Sequence, residues 1–386
     1  MTPRAQELQE RFRRSHGREA RVYAAPGRVN LIGEHTDYND GFVLPAAIDL
    51  RTWVAIAPRA DRRLRVASTS FPDEVDLDLG DAAPRPGAHW SDYVRGIAGV
   101  LERAGRRLSG ADLLVHGEVP IGSGLSSSAA LCVAAGYALL DSSGCPIDRV
   151  ELARFAQQAE HEYVGTRCGI MDPFVSCFGE PARALLLDCR SLSFELVPLP
   201  ADVSLVVSNT MVKHALAGGE YNRRRAECEE GVRQLARSFP EVRALRDVDS
   251  ERLEAVRGEL SEVVYRRCRH VIGENARVVQ AAQALRTGDL SGFGRLMAES
   301  HRSLRDDYEV SCAELNTLVE LANEVGGVYG TRMTGGGFGG CTVSLVRSER
   351  APAFERYVAD GYEKATGLKA EIYVCAAGAG AARERG

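Results

Sequence analysis

Short segments of alternating hydrophobic and polar residues mark the first half of the chain, a pattern typical of half-buried β-strands. They predict strands over residues 22–25, 42–44, 52–57, 64–68, 75–79, 111–118 and 184–188. Apolar positions repeating every three to four residues predict helices over residues 5–15, 91–104, 126–140 and 148–163. Strands and helices are therefore mixed along this part of the chain, as in an α+β domain.

Charged, amphipathic helical patterns dominate the second half, which begins near a predicted strand at 204–208. Helices are expected over 221–238, 261–285, 289–305 and 312–325, followed by a strand at 342–345, a helix at 352–365 and a strand at 370–375. The sequence predicts two domains, residues 1–205 and 206–386, although no linker-like segment marks the boundary. The Ala/Gly/Arg-rich tail after residue 376 is expected to be frayed.

The composition of the chain mainly excludes classes of function. The chain has 386 residues, 45% hydrophobic and 26% charged, which suits a soluble globular protein with two full cores. Its formal net charge of -5 offers no basic excess for nucleic acid or an anionic membrane, so the expected partners are small molecules. The polar N-terminus does not fit a signal peptide, and the apolar stretch 129–140 is shorter than the roughly 20 residues of a membrane helix.

Ten cysteines occur at irregular spacings without a Cys-x-x-Cys pair, and several lie within apolar segments. This distribution indicates reduced core thiols rather than disulfides or zinc ligands. A cytoplasmic location is therefore expected.

An unusual polar cluster lies between two short apolar segments in residues 26–45. Arg28 offers a planar set of donors, and Glu34, His35 and Asp37 follow within a few residues, a combination suited to recognising hydroxyl groups. A lone histidine is more often structural, but the neighbouring charged residues favour a role for His35 in binding.

A glycine-serine loop, Pro-Ile-Gly-Ser-Gly-Leu-Ser-Ser-Ser-Ala-Ala, occupies residues 120–130. Its glycines allow the backbone to approach an anion closely, and the serines begin a helix whose free N–H groups favour negative charge. The loop thus suits a nucleotide triphosphate, although it lacks the Gly-Lys-Ser/Thr string of a Walker loop. Its structural alternative is a serine-capped helix after a tight turn.

A third segment, Gly-Thr-Arg-Met-Thr-Gly-Gly-Gly-Phe-Gly-Gly-Cys, covers residues 330–341. Together, the three segments resemble the motifs of the small-molecule kinases that include galactokinase, homoserine kinase, mevalonate kinase and phosphomevalonate kinase. The string Gly-Arg-Val-Asn-Leu-Ile-Gly-Glu-His-Thr-Asp-Tyr at 27–38 is similar to galactokinases in particular. The resemblance implies an N-terminal ribosomal-protein-S5-like nucleotide-binding domain and a C-terminal ferredoxin-like domain.

The same resemblance implies an ATP-dependent sugar 1-kinase that forms α-D-galactose 1-phosphate and ADP. It assigns the sugar to Glu34, His35, Thr36, Asp37, Asp172, Tyr221 and Gly336. It assigns ATP to Ser68, Gly122, Ser123, Gly124, Leu125, Ser126, Ser127 and Ser128, and Mg²⁺ to Ser128 and Glu160. A monomer is expected. Without the resemblance, Glu160 would be interpreted as a solvated glutamate.

Asp172, near the start of a predicted helix, is the candidate general base for the sugar hydroxyl, and Arg28 would stabilise both that carboxylate and the transferred phosphoryl group. A purely structural role as a helix cap is the alternative. Galactokinases normally carry glutamine where this chain has Pro173. Proline is tolerated in the first turn of a helix, so activity is expected to survive.

Three other functions are compatible with parts of this pattern. N-acetylgalactosamine or L-arabinose could replace galactose in the same chemistry. A catalytically silent sugar sensor would bind galactose and ATP without transfer, but such sensors lack a Ser-Ala pair that residues 126–130 contain. A scaffold protein would leave the three polar clusters unexplained.

Overall fold

The computed structural model describes residues 1–81, 83–84, 89–213 and 217–385. Its helices are α1 (Pro3–His16), α2 (Asp92–Arg103), α3 (Ser127–Ser142), α4 (Arg149–Ala159), α5 (Met171–Phe178), α6 (Ala217–Ser238), α7 (Ser250–Ala255), α8 (Glu262–Thr287), α9 (Leu290–Asp306), α10 (Ala313–Glu324) and α11 (Ala351–Thr366). Its strands are β1 (Arg21–Asn30), β2 (Phe42–Val43), β3 (Pro45–Pro58), β4 (Arg63–Ser68), β5 (Val75–Asp78), β6 (Ala111–Gly117), β7 (Arg183–Asp188), β8 (Phe194–Pro198), β9 (Val203–Lys213), β10 (Val328–Thr334), β11 (Gly339–Arg347), β12 (Glu371–Cys375) and β13 (Ala382–Arg383).

The first sheet has the order β13-β1-β3-β6-β4-β5, with β4 parallel to β6 and the other pairs antiparallel. Successive side chains of β3 face opposite sides, as strand geometry requires. Val54 and Ile56 join a core formed with α2, α3, α4 and α5, whereas Trp53 and Ala55 pack against α1. The alternation in the sequence therefore corresponds to a sheet covered by helices on both faces.

The second sheet is antiparallel, with the order β10-β11-β9-β12. Leu205 and Val207 of β9 face a core shared with α8 and α9, while Val206 faces α10 and α11. This half contains a β-strand, helices, two strands, a helix and a final strand, in that order. The order is that of a ferredoxin-like arrangement, so the expected fold class is confirmed.

One apolar core connects the two sheets. Leu31 and Ile32, which follow β1, pack in the same cluster as Val278 of α8 and Val343 of β11. A small third sheet, β2-β7-β8, lies beside this joint. The polar segment that follows β1 is consequently held between both halves of the molecule.

Most predicted elements are confirmed with shifted ends, but several features differ from the sequence interpretation. The predicted helix 148–163 ends at Ala159 and continues as a π-helix, Glu160–Val164. Strands β8 and β10 and the short helix α7 were not anticipated. The division at residue 205 stays a prediction, and it falls within β9.

The tail after residue 376 is not frayed, contrary to expectation. Gly378 N donates to Ala47 O at 2.8 Å, Gly380 N donates to Gly179 O at 2.7 Å, and β13 pairs with β1. The first sheet thus contains a strand from the opposite end of the printed sequence.

Two further observations concern the chain as a whole. All ten cysteines are free thiols. Among the described residues, no helix is both long enough and apolar enough to cross a membrane.

Candidate active site

An open cavity of about 730 Å³ lies where the three sequence motifs meet. The first motif contributes Arg28 and residues after β1, the second contributes the loop before α3, and the third contributes Gly335 and Gly336. Asp172 near the start of α5 and Glu160 after α4 complete its polar wall. The topology therefore collects distant chemical groups at one place.

Arg28 and Asp172 form a bidentate ion pair in this cavity. Arg28 Nε donates to Asp172 Oδ1 at 2.8 Å and Nη2 donates to Oδ2 at 2.9 Å. The arginine side chain is only 5% exposed and the aspartate 23%, so the carboxylate remains reachable from the cavity. Burial alone would lower the pKa of Arg28, but Asp172 and Glu34 outweigh it and raise the pKa.

The glycine-serine loop of residues 120–130 (the phosphate loop) is tied directly to this pair. Arg28 Nη1 donates to Gly124 O at 2.5 Å, and Ser126 Oγ donates to Asp172 Oδ2 at 2.5 Å. Ser126 adopts left-handed backbone angles, with φ of 62°, immediately before α3 begins at Ser127. The N-terminus of α3 consequently opens into the cavity, where its unpaired N–H groups favour an anion.

Glu160 is a buried carboxylate at the start of the π-helix, a type of distortion that is frequent at functional sites. Burial raises its pKa to about 7, the nearby Asp172 carboxylate adds to the effect, and the Ser128 hydroxyl opposes it. The protein therefore does not fully offset the cost of burying this negative charge. A bound cation would stabilise the charged form of Glu160.

The charges around the cavity are unbalanced. Among the described residues that line it, Arg28 is the only arginine or lysine. The carboxylates that line it are Glu34, Asp37, Asp73, Glu160 and Asp172. An anionic triphosphate placed here would require additional positive charge.

Glu34 is almost completely buried, at 2% exposure, and accepts four protein donors. Its Oε2 accepts Asn30 Nδ2 at 2.8 Å and Arg332 Nη1, while Oε1 accepts Gly335 N at 2.8 Å and Thr334 Oγ1 at 3.2 Å. Burial raises the pKa of Glu34, although Arg332 and Gly335 counteract it. The carboxylate is thus fixed from both halves of the molecule.

His35 has left-handed backbone angles, with φ of 64°, which is uncommon for a residue other than glycine. Its Nδ1 shares a hydrogen bond of 2.7 Å with Tyr38 Oη, which in turn bonds Tyr308 Oη at 2.8 Å. Burial, with a contribution from His270, holds the pKa of His35 well below its usual range. A neutral imidazole ring in contact with Tyr221, with centroids 5.5 Å apart, therefore lines the cavity.

Asp37 lies close to the pair of Arg28 and Asp172. Burial and the neighbouring Asp172 carboxylate raise its pKa to about 7, against the influence of the Tyr38 N–H. Its position requires a glycine opposite, because a Cβ on Gly169 would lie 1.7 Å from Asp37 Oδ2.

The structure brings most of the predicted site residues to the cavity wall, including Ser68, Tyr221 and Gly336. Three predicted residues do not line it. Thr36 Oγ1 faces the backbone oxygens of Gly33 and Phe42, at 2.8 and 2.6 Å, Ser123 Oγ donates to Pro120 O, and Leu125 is buried.

Sequence reasoning missed an aromatic part of the wall. Phe71 and Trp90 are stacked, with ring centroids 5.4 Å apart and planes at 4°, and Tyr93 lies on the same wall. It also missed Arg332 and Thr334, although both belong to the third motif. The rarity of tryptophan was one available signal for Trp90, since the chain contains only two tryptophans.

Comparison with known protein families gives three matches in chain order. Residues 10–58 match the galactokinase galactose-binding signature, residues 92–180 match the N-terminal domain of GHMP kinases, and residues 281–364 match the C-terminal domain of GHMP kinases. The first match contains Arg28 and Glu34, and the second contains the phosphate loop and Asp172.

Similar proteins extend these matches over nearly the full length. A galactokinase from Roseiflexus sp. (strain RS-1) is 50% identical over 378 residues, covering 98% of this chain and 96% of that protein. The crystal structure of Lactococcus lactis galactokinase complexed with galactose superposes with a TM-score of 0.94 at 38% identity, covering 98% and 99% of the two chains.

A more distant structure shares the fold. Methanococcus jannaschii mevalonate kinase superposes with a TM-score of 0.64 at 17% identity, covering 93% of this chain and 98% of that one. The two-domain arrangement thus extends beyond the range of close sequence similarity.

Proposed function

The chain belongs to the galactokinase family, and we propose that it transfers the γ-phosphoryl group of ATP to the C1 hydroxyl of α-D-galactose. The products are α-D-galactose 1-phosphate and ADP. The bidentate pair of Arg28 and Asp172, set between the sugar segment and the phosphate loop, is the observation that carries this proposal.

We propose Asp172 as the general base. The two oxygens of a carboxylate offer about four acceptor positions, and three of those on Asp172 receive donors from Arg28 and Ser126. One position on Oδ1 is left for the C1 hydroxyl. As the C1 oxygen bonds to the γ-phosphorus and the bond to the β-phosphate oxygen breaks, the hydroxyl proton moves to Asp172.

Arg28 has two functions in this proposal. Its guanidinium fixes the Asp172 carboxylate through two bonds, and its bond to Gly124 O fixes the phosphate loop against the same pair. Its buried charge would also stabilise the negative charge that develops on the transferred group, where the low dielectric strengthens the interaction. A rigid planar fork is needed for both contacts.

The nucleotide would extend from the phosphate loop toward the aromatic wall. The α3 N-terminus and the loop from Gly122 to Ser128 would bind the triphosphate. The stacked Phe71 and Trp90 offer an apolar surface for the flat adenine base, with Ser68 nearby on the wall.

Ser128 and Glu160 fit a magnesium ion, because an under-compensated buried carboxylate and a hydroxyl are the oxygen ligands that this ion prefers. Within the described ranges, no three His, Cys, Asp or Glu side chains converge as a metal cluster, so waters and phosphate oxygens would supply the other ligands. When bound, the ion would neutralise charge on the triphosphate. The carboxylates on the cavity wall favour this compensation.

The sugar would lie against Glu34, His35, Asp37 and Tyr221, beside Asp172. Asn30, Arg332 and Gly335 donate to Glu34 outright, whereas the contact from Thr334 Oγ1 is the longest, at 3.2 Å. Because Thr334 Oγ1 also lies 3.1 Å from Asn30 O, a sugar hydroxyl could replace it at Glu34 without leaving the threonine unpaired. Thr36 would act only through the shape of the loop.

The decisive experiment incubates the purified protein with Mg-ATP and, in parallel, galactose, N-acetylgalactosamine, arabinose or glucose. ADP release and sugar 1-phosphate formation are both measured. Turnover with galactose is expected. Turnover only with another sugar would overturn the substrate assignment, and galactose binding without turnover would identify a sensor. The cytoplasmic location and the monomeric state stay predictions.

A further inference from the structure

The third motif is connected to the first by side chains of a single strand. Arg332 and Thr334 are two positions apart on β10, so both project from the same face of the second sheet. Both reach Glu34, which follows β1 in the other half of the molecule, and Thr334 also reaches Asn30 at the end of β1. The contact between the two sheets is therefore polar at this point, although an apolar core lies around it.

Three of the four donors to Glu34 come from this end of β10. They are Arg332 Nη1, Thr334 Oγ1 and Gly335 N. The same elements hold the backbone of Asn30, because Arg332 Nη1 lies 3.2 Å from Asn30 O and Asn30 N donates to Thr334 Oγ1 at 3.0 Å. The position of Glu34 is thus determined mainly by the third motif.

Arg332 also faces a second carboxylate, at ion-pair range rather than hydrogen-bond distance. Its side chain is fully buried, and Nη2 lies 3.8 Å from Glu274 Oε1 of α8. Glu274 accepts Ser300 Oγ at 2.5 Å, Arg277 Nε at 2.7 Å and Gly33 N at 2.9 Å, next to Glu34 in the chain. Burial alone would raise the pKa of Glu274, but Arg277, His270 and Arg332 outweigh it and lower the pKa to about 2.

We propose that Arg332 is a positioning residue for sugar binding, which holds Glu34 in the orientation that meets the sugar by bridging it to Glu274. This inference rests on the proposed function, since it assigns Arg332 a role in the same sugar site. Lysine cannot reproduce the role, because its single ammonium group lacks the planar fork that spans two carboxylates.

A double-mutant cycle tests whether Arg332 acts through Glu34. The variants are Arg332→Lys, Glu34→Gln and the double variant, with galactose affinity measured by calorimetry and the KM for ATP measured separately. Each single variant is expected to weaken galactose binding by about tenfold or more, the effect of losing a charge-assisted hydrogen bond. The double variant should be no weaker than the worse single variant, within about twofold.

Arg267→Lys is the matched control. Arg267 is also a buried arginine in the second half, 2% exposed, but it pairs with Glu227 and Glu309 rather than with the sugar segment. The control should lower the melting temperature without changing galactose affinity. If Arg332→Lys behaves like this control, Arg332 is only structural and the inference is overturned.

Additive losses in the double variant would also overturn it, since Arg332 would then act independently of Glu34. Failure of the proposed function gives a different result, because the wild-type protein itself would neither bind nor phosphorylate galactose. Wild-type turnover followed by additive variants would therefore reject only the role of Arg332.

Discussion

The guanidinium of Arg28 meets the carboxylate of Asp172 edge to edge, through parallel bonds of 2.8 and 2.9 Å. Two residues 144 positions apart in the chain thus form one bidentate unit. Because Ser126 Oγ and Gly124 O bind the same unit, the proposed base, its arginine partner and the phosphate loop share a fixed geometry.

Asp172→Asn should remove the general base while preserving the shape of the side chain. We expect kcat to fall by about 10³-fold, because a positioned base typically contributes 10²–10⁴-fold. Galactose should still bind measurably by calorimetry. Asp148→Asn is the control, since it changes a cap of α4 that asparagine can also provide. Near-normal turnover of the Asp172 variant would remove this residue as the base.

Arg28→Lys should retain the charge but lose the bidentate bond and the bond to Gly124 O. We expect kcat to fall by about 10²-fold, in the range measured when one group stabilising the transition state is removed. The loss in galactose affinity should be smaller than the loss in kcat. Steady-state kinetics and calorimetry on the same preparation test this, and a change in sugar affinity alone would contradict the role of Arg28 in the transition state.

Asp37 should make the stability of the free protein fall with rising pH. Its folded-state pKa of about 7 lies above the ordinary value for aspartate, so the stabilisation is fully present below about pH 4 and is lost as the pH rises through 7. Asp37→Asn lacks this titration. Between pH 5 and 7 the wild type should lose up to about 1.4 kcal/mol per pH unit relative to the variant. Urea unfolding at several pH values measures both slopes, and identical slopes would contradict the raised pKa.

Gly169→Ala should damage the sugar pocket, since the new Cβ would lie 1.7 Å from Asp37 Oδ2 and would displace that carboxylate. We expect the KM for galactose to rise by about tenfold or more, as for the loss of a charge-assisted hydrogen bond. Gly258→Ala is the control, because nothing lies within 4 Å of its added Cβ. An unchanged KM in the Gly169 variant would show that Asp37 can move without affecting the sugar.

Pro173→Gln tests the departure from the usual glutamine. Pro173 is the third residue of α5, where a backbone N–H has no intrahelical acceptor, so proline removes no helix hydrogen bond. We expect kcat to change by less than about threefold, because the helix can hold Asp172 with either residue. A larger gain in kcat would indicate that the glutamine amide contributes directly to the reaction.

Elements with a regular hydrophobic period were predictable from the sequence, because one face of each packs on a core. Strand β10 was missed since its buried interior includes Arg332, a residue that ordinarily indicates exposure. That burial depends on Glu34 and Glu274, which lie far away in the sequence. A single segment carries no information about such partners.

The candidate site was predictable in its residues more than in its geometry. The sequence indicated Arg28 and Asp172, and the structure brings them into contact. The stacking of Phe71 on Trp90 and the left-handed backbone of His35 depend on the packed fold, so the rarity of tryptophan was the one indication of the aromatic wall and nothing local indicated the backbone angles. The ordered tail was missed for the same reason, because its partner strand is β1.

The pairing of β13 with β1 also bears on how the protein is made. During synthesis β1 leaves the ribosome early, whereas residues 382 and 383 appear only after both halves of the printed chain have been translated. The first sheet can pair β1 with β3 in the meantime, but its outer edge stays open to other chains. Chains released before residue 382 would therefore leave Tyr23 and Ala24 of β1 without their partner strand, and an unpaired edge of this kind favours aggregation.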